Sequence, residues 1–135
     1  MIIAIDFDGT CVTHEYPAIG KDIGAIPILK RIVSDGHKLI LWTMRSNNRS
    51  DGTNPLHDAV DWFNNNNIPL FGINENPEQH KWTSSPKVYA HIYIDDAALG
   101  IPLCQGLAEE RPYVNWEAIN NILYGSAQKE IVTCL

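Results

Sequence analysis

What most constrains the fold is an alternation along the chain: short aliphatic runs that stop abruptly at polar residues, separated by stretches of helical periodicity. The first run, Ile2-Ile3-Ala4-Ile5, closes on Asp6 and, after Phe7, on Asp8 and Gly9. Lys38-Leu39-Ile40-Leu41-Trp42 closes on Thr43, and His91-Ile92-Tyr93-Ile94 closes on Asp95 and Asp96. Runs this dense in aliphatics suit strands buried on both faces. Ile68 to Ile73 is a fourth, whose Pro69 restricts it to an edge or to its first residues.

Between these runs the spacing predicts helices. Ala25, Ile28, Leu29, Ile32 and Val33 recur at helical intervals up to Asp35, with Gly36 suited to the C-terminal cap. Asn54-Pro55 reads as an N-cap followed by proline at the first helical position, ahead of Leu56, Ala59, Val60 and Phe63. A last helix is expected over Asn115 to Tyr124, with Gly125 beyond its end, whereas Asn74 to Pro86 reads as a loop. Lys129 to Leu135 fits either a short edge strand or a tail. Strands and helices in this alternation form βαβ units, hence one parallel sheet with helices on both faces and a ligand edge beyond the carboxyl ends of the strands.

The chain has 135 residues, the size of one domain of roughly 100–150 residues, and no linker or repeat divides it. A net charge of −6 disfavours long nucleic acid as a partner, since such surfaces need an excess of Lys and Arg. Cys11, Cys104 and Cys134 are odd in number and far apart, so neither a disulfide framework nor a zinc site is suggested. Asp6 cuts the apolar N-terminus too short for a signal peptide, and no later run reaches membrane-spanning length. A cytoplasmic protein without membrane partners is expected, and self-association into a homo-oligomer is left open.

A parallel sheet would bring Asp6, Asp8, Thr43, Asp95 and Asp96 to one edge. Carboxylates gathered there must take up protons or bind a cation, and a hard, oxygen-seeking ion such as Mg²⁺ commonly joins one or two of them to a substrate phosphate. This charge pattern suggests Mg²⁺ with a phosphorylated ligand.

The ordered segments "DFDGT", "LILWT", "SPKVYAHIYIDD" and the pair Asp95-Asp96 resemble the four motifs of the haloacid dehalogenase superfamily, and they span residues 6–96. The resemblance implies a three-layer α/β/α, Rossmann-like fold and a phosphomonoester hydrolase. Its small substrate would be a phosphorylated metabolite or nucleotide. Asp6 would be the nucleophile that forms an aspartyl-phosphate, and Asp8 the proton shuttle. Gly9 and Thr10 would shape the phosphate-binding turn, Thr43 would donate to a phosphoryl oxygen, and Lys87, with Lys81 as its competitor, would offset the charge of transfer. Asp6, Asp95 and the backbone carbonyl of Asp8 would hold Mg²⁺ directly, and Asp96 through water. The intervals between motifs leave no room for a cap domain, so the loops Cys11 to Gly20 and Met44 to Asn54 are the nearest material to cover the site, and Arg45 becomes a candidate for binding substrate phosphate.

Plainer readings stand beside these. Thr43 also suits a strand, Arg45 a solvated surface, and the pair His14-Glu15 polar loop surface rather than a metal site. Trp42, Trp62 and Trp116 read as core or partly buried aromatics, whereas Trp82 lies in a polar loop and could line a substrate path. A receiver-like phosphoacceptor domain and a non-catalytic phosphate-binding module are the alternatives to an enzyme.

Overall fold

Strand β1 (Ile2–Ile5) is central because both its edges are used. Ile2 to Ile5 align with Lys38 to Leu41 of β2 (Lys38–Leu41), and Ile3 to Ile5 with Ile92 to Ile94 of β4 (Ile92–Ile94). β3 (Gly72–Ile73) adds to the far edge of β2, so the four parallel strands run β3-β2-β1-β4. This computed structural model describes residues 1–107 and 110–125; the choice between edge strand and tail at Lys129 to Leu135, and Cys134, lie outside the described residues.

Helix α1 (Ala25–Ser34) joins β1 to β2, and Gly36 stops it by turning at φ 90°. Helix α2 (Pro55–Asn65) starts at proline as expected, but Asn54 does not cap it: its side-chain oxygen accepts from the Asn48 amide instead. Helix α3 (Trp116–Tyr124) is capped by Asn115, whose Oδ1 accepts from the Ala118 amide. Of the run Ile68 to Ile73, only Gly72 and Ile73 pair as a strand, because Pro69 has no amide to give and Ile68 turns into the core. A short antiparallel pair, β5 (Leu103–Cys104) and β6 (Tyr113–Val114), was not foreseeable from periodicity, since each strand is two residues long.

The main core lies on one side of the sheet. Ile3, Ile5, Leu39, Leu41 and Ile94 meet Leu29 and Ile32 of α1, Phe63 of α2, and Trp116 and Ile119 of α3 in a single cluster. The other face carries a small cluster, Ala4, Ile40 and Val88, with Trp42 and Ala90 against it. The expectation of helices on both faces is therefore corrected: among the described residues, all three helices share one face. The reason lies in the crossover from β3 to β4. It must pass over the opposite face, but Pro77, Pro86 and a run of polar residues allow only a 3₁₀ turn at Gln79–Lys81. No described helix is long and apolar enough to cross a membrane.

Candidate active site

Period-two geometry decides which β1 residues reach the site. Ile3, Ile5 and Phe7 point into the helix-covered core, where Phe7 packs edge-on against Trp62 at 5.5 Å between ring centroids. Ile2, Ala4 and Asp6 point to the other face. Asp6 still belongs to the ladder, its amide donating to the Ile94 carbonyl at 3.0 Å, so its carboxyl emerges at the C-terminal edge beside the end of β4.

Directly after the strand the chain turns at Gly9, φ 76°. Glycine suits that left-handed φ, and a Cβ there would lie 2.0 Å from Nε2 of His14 and 2.8 Å from Oδ2 of Asp96. The turn delivers Thr10, fully buried, between two acids. Its hydroxyl donates to Asp6 Oδ2 at 2.8 Å and accepts from the Asp96 amide at 3.0 Å, while the Trp116 indole donates to the Thr10 carbonyl at 2.7 Å. Thr10 thus ties the end of β1 to the end of β4.

Asp6, Asp95 and Asp96 each present an oxygen within 4.8 Å of the others. Burial, the Asp96 side chain and the Asp95 charge push the Asp6 carboxyl from 3.8 up to about 8, against the opposing hydrogen bond from Thr10. Such a cluster holds a proton or a cation, and a set of donors made only of oxygen suits a hard ion such as Mg²⁺. The sequence-expected metal residues Asp6, Asp95 and Asp96 therefore come together, and they fit that ion.

The Asp8 side chain stands apart from this cluster. Arg45 Nε donates to its Oδ2 at 2.8 Å and Nη2 to its Oδ1 at 2.7 Å, a bidentate pair. Arg45 is 2% exposed, and its remaining N–H groups donate to the carbonyls of Pro17, Ala18 and Pro55. All five guanidinium donors are thus used. Two expectations for Arg45 are corrected together: it is not solvated, and in this conformation it has no free donor for a substrate phosphate. It pins the two loops that lie nearest the site, with its guanidinium also 5.2 Å from the Tyr16 ring centre.

Thr43 reaches the acids. It shares a hollow of about 190 Å³ with Asp6, Asp95, Trp42 and Met44. Its amide is fixed by the Asn74 side chain at 2.8 Å, and its oxygen accepts from the Arg45 amide at 3.1 Å. Lys87 does not join them: its ammonium lies over the Tyr93 ring at 5.8 Å and faces a neighbouring hollow with Trp82 and Tyr89. Neither Lys87 nor Lys81 forms an ion pair among the described residues.

His14 is the neighbour that sequence reasoning set aside. Its Nε2 lies 3.1 Å from Asp96 Oδ2 without the alignment of a hydrogen bond, and its side chain is mostly buried over Gly9. Glu15 beside it is exposed, as expected. The only sequence signal for His14 was its place in the loop that follows the two acids.

Comparison with known proteins gives one informative likeness. The solved structure of a conserved protein from Bacteroides thetaiotaomicron matches with a TM-score of 0.71 and 32% identity, covering 95% of this chain and 93% of that one. No family model and no curated protein matches the chain.

Proposed function

The chain belongs to the same family as the conserved Bacteroides thetaiotaomicron protein, and we propose that it is a Mg²⁺-dependent phosphomonoester hydrolase of the haloacid dehalogenase type, without a cap. The observation that carries this reading is the convergence of Asp6, Asp95 and Asp96 within 4.8 Å at the sheet edge, beside Thr43. Those positions are the ones the motif resemblance implies.

In this reading Asp6, Asp95 and Asp96 hold Mg²⁺, which neutralises their charge and polarises the phosphoryl group when bound. An Asp6 oxygen attacks phosphorus, the phosphorus–oxygen bond to the leaving alcohol breaks, and an aspartyl-phosphate forms. Water then attacks this acyl phosphate at phosphorus, releasing phosphate and restoring the carboxylate. The Thr43 hydroxyl donates to a phosphoryl oxygen, and Thr10 keeps Asp6 aimed. Asp8 gives the leaving oxygen its proton and later takes one from water, so at least one of its bonds to Arg45 opens during the cycle.

The test is hydrolysis of small phosphate esters with Mg²⁺ by the native chain and by Asp6→Asn. Release of phosphate by the native chain and its loss in the variant is the expected result. Full activity in Asp6→Asn would remove Asp6 as nucleophile.

The bidentate hold on Asp8 favours a second reading, a receiver-like phosphoacceptor. If the Arg45 clasp stays shut, water is not activated and a phosphorylated Asp6 persists. Labelling with a small phosphodonor separates the two: a phosphoaspartate that lasts for minutes without ester hydrolysis supports the acceptor, and rapid turnover supports the hydrolase.

A further inference from the structure

The face of the sheet left bare by the helices forms a slot that leads away from the acids. Ala4 lies opposite Ile40 on one side and Tyr93 on the other, so one step further along the strands Trp42 and Asp95 flank Asp6. The slot, about 240 Å³, has Asp6 and Asp95 at its end, Trp42 and Tyr93 as its walls, and the small residues Ala4 and Ala97 in its lining. Trp42 also walls the hollow beside Thr43 and Met44. A group carried on a phosphate at Asp6 therefore meets Trp42 whichever hollow it enters.

The wall opposite Trp42 is held in place. The Tyr93 hydroxyl donates to the Val88 carbonyl at 2.5 Å, which fixes the ring, and the backbone of Trp42 is bonded to Ile5 at 2.8 Å. Beyond Asp6 and Asp95, the slot has no charged side chain in its lining. An open-chain polyol would find few partners there to replace its water, whereas a flat ring would find two aromatic side chains in the lining.

We infer that this slot receives a flat aromatic group, that Trp42 determines the specificity, and that the substrates are phosphate monoesters of aryl or nucleoside alcohols. The inference rests on the phosphomonoester reading above and narrows its substrate class. A base or aryl ring stacked on Trp42 and bounded by Tyr93 keeps its phosphate against Asp6.

Phosphonates, whose carbon–phosphorus bond is not hydrolysed, test this on the native chain. Calorimetric titrations with Mg²⁺ present would compare benzylphosphonate, the phosphonate isostere of adenosine monophosphate, and the open-chain isostere of glycerol phosphate. The two aromatic ligands are expected to bind on the order of 10-fold more tightly than the open-chain one. Trp42→Leu should erase that gap while leaving open-chain affinity within about threefold, and Trp42→Phe should keep most of it. If Trp42→Leu does not fold, Tyr93→Leu takes its place with the same expectation. Equal affinities in the native chain, a gap that survives both leucine variants, or no binding of any of the three overturns the inference. A gap in binding with no hydrolysis of any ester overturns the proposed function and leaves the slot standing. Hydrolysis of esters without a gap does the reverse.

Discussion

Arg45 grips Asp8 with two parallel hydrogen bonds while its other donors hold the carbonyls of Pro17, Ala18 and Pro55. One side chain thus fixes a candidate proton shuttle and both loops that lie nearest the acids. Removing it leaves a partly buried carboxylate and the carbonyls of Pro17 and Ala18 without these donors. Arg45→Ala should destabilise the chain by roughly 3–5 kcal/mol in urea unfolding. Arg45→Lys keeps the charge but not the fork, and should recover less than half of that loss. In a double-mutant cycle with Asp8→Asn, the coupling should be about 1–3 kcal/mol; additivity would show that the pair is not energetically linked.

Asp6 makes stability depend on pH in a definite direction. Its pKa is about 8 in the folded chain against 3.8 ordinarily, so the folded state keeps a proton that the unfolded state releases. This contribution is fully present below pH 4 and is lost as pH rises through about 8. In chelator, the melting temperature of the native chain should fall relative to that of Asp6→Asn between pH 5 and pH 8, by about 10 °C. Adding Mg²⁺ at pH 8 should raise the native Tm and move the variant much less. A difference independent of pH would mean that the acids do not share a proton.

Thr10 is not expected to touch substrate, yet it orients two of the three acids. Thr10→Val has a similar shape and no hydroxyl. It leaves Asp6 and the Asp96 amide each short of a partner, and should destabilise by roughly 1–3 kcal/mol. Mg²⁺ affinity, read by titration calorimetry, should fall about 10- to 100-fold. Unchanged affinity would mean that the carboxylates hold their arrangement without it.

Gly9 faces three obstacles to any side chain: its φ of 76°, the imidazole of His14, and Asp96 Oδ2, which a Cβ would approach to 2.8 Å. Gly9→Ala should destabilise by about 2 kcal/mol or more, since about 1 kcal/mol comes from the backbone alone. Combining it with His14→Ala should restore the part due to the imidazole and leave the conformational part and the Asp96 contact. If the second substitution restores nothing, the ring was not the obstacle.

How much of this was legible beforehand follows from the physical reach of each signal. Ile2 to Ile5 and Lys38 to Leu41 were readable because buried parallel strands need unbroken aliphatic runs, and α1 because its apolar residues repeat over three turns. The meeting of Asp6, Asp95 and Asp96 followed from topology, since parallel strands end on the same side. The bare face was harder to see. It depends on which way the crossover from β3 to β4 passes, and loop residues such as Val88 leave no periodic trace. Arg45 was misread because one residue in a polar loop gives no sign that it will find five acceptors, four of them main-chain or side-chain oxygens from positions 8 to 18. Lys87 was assigned from the motif resemblance, whereas its ammonium lies over the Tyr93 ring at 5.8 Å, beside a neighbouring hollow.

The bare face has a consequence for how such a chain can diversify. Along β1 the odd positions Ile3, Ile5 and Phe7 are committed to cohesion of the helix-covered core, while on the other face Ala4 packs with Ile40 and Val88 and Asp6 answers to chemistry. Because the two sets face opposite sides of the sheet, recognition can be rewritten at Trp42 and Tyr93 without renegotiating the helix-covered core. The fold separates durability from selectivity by a single peptide's turn.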